Sequence, residues 1–357
     1  MSTRPPLPSR LGLKLPIVQA PMAGVSTAAL AGAVTGAGGL GSVAVGASAP
    51  ETADETLAAA LKTGRGMLNV NVFTHTRPRR DVERERAWLR TLQPWFGEFD
   101  AQAPGSLDEI YRTFDDQPEM LDVLLAHRPP VVSFHFGLPR AQSIRALKSY
   151  GAYLIATATS VAEARQLEAA GIDAIVAQGF EAGGHRGTFV DDTNDECLST
   201  FTLLPRVVGA VDLPVLAAGG ISSGAGIAAA QALGASGVQM GTVFIDCPES
   251  AATHGYRHAL HAEGMTTAIT RVFSGRRARG IVNRFVREVA CHEREVPDYP
   301  VAYDAGKRLA AAATAAGSES FTPMWAGQGP VRPEALPAAE LIARLAEEWR
   351  EAGHQRG

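Results

Sequence analysis

The stretch Gln178-Gly-Phe-Glu-Ala-Gly-Gly-His-Arg-Gly187 sets glycines, one acid and one histidine side by side. It follows the apolar run Ile172-Asp-Ala-Ile-Val-Ala177, which reads as a buried strand. Glycines at a strand end let a backbone approach a ligand closely, because no Cβ intervenes. His185 is placed to act on that ligand, with an imidazole whose pKa can sit near 7. The competing explanation is a loop histidine held by a backbone carbonyl. A position just past a barrel strand favours the catalytic one.

Two further glycine sites end strand-like runs, Ala217-Ala-Gly-Gly-Ile221 and Gln239-Met-Gly-Thr242. The loops after strands seven and eight of a barrel commonly bind phosphate through backbone N–H groups. No Walker lysine pattern occurs, so a phosphate there would belong to a cofactor. Gly36-Ala-Gly-Gly-Leu-Gly41 matches the dinucleotide glycine pattern, but the order is helix, glycines, strand. It reads as a helix stop and a close turn. His135 ends the run Ser133-Phe-His-Phe-Gly137 and is a second site candidate. His254, His258 and His261 share a helical face without an acidic partner at a telling spacing, so no metal site is expected. Tyr299, Tyr303 and Lys307 recur at helical spacing. Over a barrel mouth they would supply hydroxyls and a partly buried cation for an anionic substrate.

Eight short apolar runs must position these residues: 17–20, 40–45, 67–73, 131–136, 153–157, 174–178, 215–218 and 238–240. Most lack polar alternation, as parallel strands covered on both faces do. Helical segments with end signals separate them. Ser160 and Gly171 bracket one, Ser222 or Ser223 starts another, and Ser26 or Thr27 starts a third. Repeated strand–helix units predict an α/β fold, a (β/α)8 TIM barrel, with a doubly wound sheet as the alternative. Residues 74–117 are too long for an ordinary connection and mix charges with aromatic residues, which predicts helices packing over the barrel mouth. Residues 247–321 read as a mostly helical lid domain. The barrel then spans 1–246 and 322–357, closing on an amphipathic helix after Pro337.

The 357 residues can bury a large core, with 46% hydrophobic and 20% charged side chains. A net charge of −4 implies no nucleic-acid partner. Cys197, Cys247 and Cys291 are far apart, which fits free thiols in a reducing cytoplasm. Residues 1–10 have no apolar core and do not read as a signal peptide. Residues 28–49 carry no charge, but they are mostly small and read as buried elements, not a membrane span.

The chain resembles the nitronate monooxygenase family over nearly its whole length. The resemblance rests on Pro16-Ile-Val-Gln-Ala-Pro-Met-Ala-Gly24, Asn71-Val-Phe73, Val132-Ser-Phe-His-Phe-Gly137, Glu181-Ala-Gly-Gly-His185 and the two later glycine sites. It continues through Phe273-Ser-Gly-Arg-Arg-Ala-Arg279 and Trp325-Ala-Gly-Gln328. Glu-Ala-Gly-Gly-His is also similar to flavin-dependent enoyl-acyl-carrier-protein reductases. The resemblance implies non-covalent FMN in a TIM barrel. It implies Met22, Ala23 and Gly24 along the flavin, and Asn71, Gln178 and Gly183 near the ring and ribityl chain. Gly220, Gln239, Met240, Gly241 and Thr242 fall at the phosphate, with Trp325 and Gln328 returning to the flavin. Tyr111, His135, Tyr299, Tyr303 and Lys307 then surround the substrate.

The expected reaction is oxidation of an alkyl nitronate with O2, in a monomer or homodimer, with His185 stabilising the anion or deprotonating a nitroalkane. Two other classes fit the residues less well. One is an NAD(P)H-dependent flavin reductase of quinones or enoyl thioesters. The other is a non-catalytic phosphate-ligand barrel.

Overall fold

The computed structural model describes residues 11–63, 67–191 and 194–354. The segment 1–10, read above for a signal peptide, lies outside them. In chain order the strands are β1 (Ile17–Gln19), β2 (Ser42–Ala44), β3 (Asn69–Phe73), β4 (Val131–His135), β5 (Tyr153–Ala158) and β6 (Ala174–Gln178). They continue as β7 (Gly184–His185), β8 (Val215–Ala218), β9 (Gly237–Met240), β10 (Thr267–Thr270) and β11 (Ala278–Ile281).

Eight of them form one parallel sheet in the order β1-β9-β8-β6-β5-β4-β3-β2. A parallel bridge between Val18 and Leu40 brings the chain entering β2 beside β1, so the sheet curls into a barrel. Each of the eight expected runs holds one of these strands. Their apolar side chains are buried on both faces, with Ile17, Val43, Val70, Val132, Leu154 and Val238 fully enclosed. A strand covered on both faces needs that pattern.

The end signals act as the residue types require. Thr27, Ser160 and Ser223 each accept a backbone N–H from three residues on, capping the helices Ala28–Gly36, Val161–Ala169 and Gly224–Ala232. The glycine pattern at 36–41 is a helix stop followed by close packing. Gly38 adopts φ +102°, and a Cβ on Gly41 would overlap the backbone of Ala31. Among the described residues no helix is long and apolar enough to cross a membrane.

The second unit is mostly helical, with a small sheet that the sequence does not show. It holds the helices His254–Leu260, Arg284–Val289 and Val301–Ala315, but also an antiparallel sheet in the order β10-β11-β7. β7 is only two residues long and β11 reads Ala-Arg-Gly-Ile, so neither shows an alternating pattern in the sequence. Residues 74–117 supply one long α-helix, Val82–Glu98, and a short 3-10 helix, Phe114–Asp116. Trp88, Leu92 and Phe96 of the long helix share a core with Phe273, Phe285 and Leu309. The insertion therefore packs on the second unit through Trp88 and Phe96, while its Tyr111 joins a separate aromatic cluster and its Phe114 the barrel core.

Candidate active site

A cavity of about 440 Å³ opens at the C-terminal ends of the barrel strands. That is a size suited to a small-molecule ligand. Met22, Ala23 and Gly24 line it from the turn after β1, Asn71 from β3 and Gln178 from β6. Gly183 and His185 follow from the loop beyond β6. Gly220 and the run Gln239, Met240, Gly241, Thr242 form one end. His135, Tyr111, Tyr299, Tyr303, Lys307 and Trp325 line the remaining walls.

Gln328 is the exception. Its side chain is exposed and outside the cavity, and only its backbone N–H reaches inward, donating to Glu181 O at 2.9 Å. The tail closes against the loops through its backbone. A Cβ on Gly183 would lie 2.6 Å from Gly327 N, and Gly327 N–H donates to Thr242 Oγ1 at 3.0 Å. The glycines let two chains touch, and a side chain at 328 must then point outward.

At the glycine end, the N–H groups of Gly220, Ile221, Thr242 and Val243 make no hydrogen bond among the described residues. All four residues line the cavity. Gly219 and Gly220 adopt φ +116° and +72°, a backbone that only glycine takes readily. Unpaired donors without side chains in front of them suit a phosphate. The buried amide of Asn71, further in, donates to Ser133 Oγ at 3.1 Å and Ser133 O at 3.2 Å.

The other end is aromatic. Tyr111, Phe136, Tyr299 and Tyr303 form one cluster. Burial pushes the Tyr111 and Tyr303 hydroxyls up to about 12 and also raises that of Tyr299 well above its ordinary value, so all three remain protonated donors. Tyr303 and Lys307 lie one turn apart on the helix Val301–Ala315. Tyr299 precedes that helix, so the trio does not share one helical face as the spacing predicts. The turn at Pro300 swings Tyr299 to the same cavity. Lys307 also differs from expectation: it is exposed, its ammonium lying 5.0 Å from the Tyr111 ring centre and 5.4 Å from that of Tyr303. A cation over two ring faces at a cavity mouth stays hydrated on one side.

His185 stands between the two ends, its ring 5.1 Å from Trp325 and 5.3 Å from Tyr299. Its backbone is fixed by β7 pairing, with Ala278 opposite. Its carbonyl accepts from Gln178 Nε2 at 3.0 Å and from His135 Nε2 at 3.1 Å. Gln178 Oε1 accepts from Gly187 N–H at 2.8 Å, and Thr157 Oγ1 donates to His135 Nδ1 at 3.0 Å. The polar atoms of Gln178 and His135 are thus committed to holding the loop. Deeper in the same loop, Arg186 pairs with Asp195 at 2.9 Å and also donates to Gln178 O and Gly179 O, with both charged side chains buried. A paired and fully hydrogen-bonded buried charge fixes the loop's path.

The pKa near 7 expected for His185 is not found. Burial, the Arg276 charge and the neighbouring His135 and His75 press it down to about 3. Arg276 is itself buried, its guanidinium 4.3 Å from the Phe136 ring centre, and it donates to Thr188 O and Thr188 Oγ1. His135 and His75 are each lowered to about 4, chiefly by burial, with Arg276 adding to the effect. Each of these histidines is neutral when folded and has a folded pKa below its unfolded value of 6.5. The unfolded chain therefore binds more protons between about pH 4 and 6.5. The stability these groups confer is complete above about pH 6.5 and is lost as pH falls towards the folded values. Urea unfolding midpoints are expected to drop steeply from pH 7 to pH 4.5. His75→Asn should lessen the slope by about one proton. A flat profile, or an unchanged slope in the variant, would contradict the buried neutral state.

Sequence reasoning missed His75, Ser274 and Arg276. His75 lies two residues past β3, so the rule that picked out His185 applied to it as well. Both of its ring nitrogens are enclosed and without a hydrogen-bond partner among the described residues. Ser274 and Arg276 lie in the quoted motif 273–279, but no spacing signal ties that segment to the barrel. The rings of His254 and His258 stack with centres 6.5 Å apart. His261 pairs with Asp246 at 2.8 Å, and the described residues contain no cluster suited to a metal.

Comparison with known proteins decides the family. The nitronate monooxygenase family model matches residues 4–348. The chain belongs to the nitronate monooxygenase family. It is accordingly an enzyme, an oxidoreductase acting on a small molecule. A nitronate monooxygenase of Pseudomonas aeruginosa is 49% identical over 346 residues, covering 95% of this chain and 97% of its own. One from Paraburkholderia phytofirmans is 48% identical, covering 97% and 95%. Among solved structures, a nitroalkane oxidase from Streptomyces ansochromogenes superposes with a TM-score of 0.87 at 39% identity, covering 98% of this chain and 99% of that one. FabK from Thermotoga maritima superposes at 0.75 with 29% identity, covering 98% and 97%. The family match agrees with the barrel and with a cavity at its C-terminal face.

Proposed function

We propose that this enzyme binds FMN and oxidises alkyl nitronates with O2, giving a carbonyl compound and nitrite. One observation carries the reading: a single cavity joins a glycine end of unpaired N–H groups to a tyrosine-lined end through His185. A phosphate-bearing cofactor and a small anion suit those two ends. The N–H groups around Gly220 and Thr242 would hold the FMN phosphate. Met22–Gly24, Asn71 and Gly183 would flank the rest of it. FMN, when bound, supplies the electron transfer and oxygen activation.

The chain's own residues do the remainder. Tyr111, Tyr299 and Tyr303 donate hydrogen bonds to the substrate anion. His185 accepts the proton when the substrate arrives as a neutral nitroalkane. Arg276 adds a fixed positive charge in a poorly hydrated region, which favours an anion beside it. The aromatic wall keeps water from reactive intermediates. Lys307, at the mouth, faces the tail of a substrate such as propionate 3-nitronate.

Because Lys307 is exposed, solvent screens its attraction for a carboxylate. Lys307→Met is expected to raise KM for propionate 3-nitronate by about three- to tenfold and to leave KM for an uncharged-tail nitronate within about twofold. Equal losses on both would mean that Lys307 serves the nitronate group or the lid alone.

The Glu181-Ala-Gly-Gly-His185 element, which is similar to that of flavin-dependent enoyl-acyl-carrier-protein reductases, supports a second reading, an NAD(P)H-dependent flavin reductase of quinones or enoyl thioesters. Oxygen uptake and nitrite release on adding propionate 3-nitronate test the first reading. NADPH consumption with a quinone, and no nitrite, would establish the second.

A further inference from the structure

Ser274 lies in the turn before β11 and is fully buried. Its hydroxyl oxygen is 2.8 Å from His185 Nε2 and 3.1 Å from Arg276 O, and it accepts from Arg276 N–H at 3.3 Å. A hydroxyl carries one proton, so it donates either to the carbonyl or to the imidazole. Among the described residues the Arg276 carbonyl has no other donor. Donation to the imidazole would leave that buried carbonyl unpaired, which costs about 1–3 kcal/mol. The alternative pairs every atom: His185 Nε2–H donates to Ser274, and Ser274 donates to Arg276 O.

The turn is held in place. Ser274 and Gly275 N–H both donate to Arg271 O, at 3.2 and 2.8 Å. Gly275 adopts φ +88° against the backbone of Pro297–Tyr299. His185 is clamped from the opposite side through its carbonyl, as described above. The imidazole therefore has little freedom to flip. Its Nδ1 makes no hydrogen bond among the described residues, yet it is not one of the enclosed unpartnered atoms, so it opens on the cavity.

We propose that Ser274 is a positioning residue that holds His185 as the Nε2–H tautomer, making Nδ1 the atom that takes a proton from a neutral nitroalkane. This rests on the nitronate reading above. In the step, the Cα–H bond of the substrate breaks and an N–H bond forms at Nδ1. The electron pair of the broken bond passes into the nitro group, giving nitronate beside imidazolium. No oxidant or reductant enters. A nitronate supplied as such skips the step, so Ser274 acts selectively on the neutral substrate.

The test uses FMN-loaded protein labelled with ¹⁵N-histidine. Multiple-bond ¹H–¹⁵N correlation reads which ring nitrogen carries the proton, and His185→Asn identifies the signal. The wild type should show a protonated Nε2 and a bare Nδ1, and Ser274→Ala should show a tautomer mixture. With nitroethane, Ser274→Ala should lose at least about tenfold in kcat/KM, and with ethyl nitronate no more than about threefold. Ser274→Thr, which keeps the hydroxyl, should recover most of the loss. If Ser274→Ala does not fold, Ser274→Cys, a weak donor of similar shape, takes its place. A proton on Nδ1 in the wild type, an unchanged tautomer without the hydroxyl, or equal losses on both substrates would overturn the inference. If the wild type turns over neither substrate, the nitronate reading fails, and the tautomer measurement still decides the role of Ser274.

Discussion

Exchange of His185 for asparagine should lower kcat/KM on a neutral nitroalkane by at least about a hundredfold, the lower end of what a positioned proton acceptor contributes. Asparagine is polar, uncharged and close in size, so flavin content and fold should persist. The loss on a preformed nitronate should be smaller, about tenfold, because no proton has to leave carbon. A resting imidazole pressed down to about 3 looks a poor base. Proton transfer, however, replaces two neutral partners with an adjacent ion pair. In a buried site their attraction is strong and offsets the cost of charging the imidazole. Arg276 opposes the imidazolium but favours the nitronate that forms with it. Unchanged kinetics on both substrates would exclude His185 from the chemistry.

The second large effect concerns the glycine end. A Cβ on Gly241 would meet Ala20 Cβ at 3.4 Å and Met22 Sδ at 3.6 Å, which is ordinary contact. Gly241→Ala should therefore fold and retain most of its flavin. Gly241→Val adds two methyl groups directed at cavity space. An overpacked site costs about 1–3 kcal/mol. FMN affinity should fall by roughly ten- to hundredfold on that scale, leaving largely apo protein with a native far-ultraviolet spectrum. Flavin measured after denaturing the purified protein gives the occupancy. Full occupancy in the valine variant would put the cofactor elsewhere in the cavity.

The barrel was legible because each strand is an apolar run covered on two faces, bounded by caps and glycines that act locally. Thr27, Ser160 and Ser223 need only residues three positions away to do their work. The loop carrying His185 was legible for a related reason: the position just past a barrel strand fixes where a side chain lies. What sequence could not give depends on distant partners. The sheet joining β7 to β11 pairs residues more than ninety positions apart, and β7 is too short to carry a pattern. The low pKa of His185 comes from burial and from the charge of Arg276, and no local pattern shows that Arg276 folds against His185. Gln178 is expected at the cofactor from the family resemblance, and His135 at the substrate from its place at a strand end. Both line the cavity, and that their polar atoms also hold the His185 carbonyl is a long-range contact that no local pattern shows. Lys307 lies on the expected helix, but only the packing of that helix shows that it sits at the rim.

The most direct measurement is the absorption spectrum of the purified protein under anaerobic conditions, before and after adding propionate 3-nitronate. The account predicts a yellow protein with flavin bands from the outset, and a prompt change in those bands on adding the nitronate without any NAD(P)H. Nitrite should appear once oxygen is admitted. A colourless protein that takes up no FMN would contradict the account. So would flavin that is indifferent to nitronate yet bleached by NADPH.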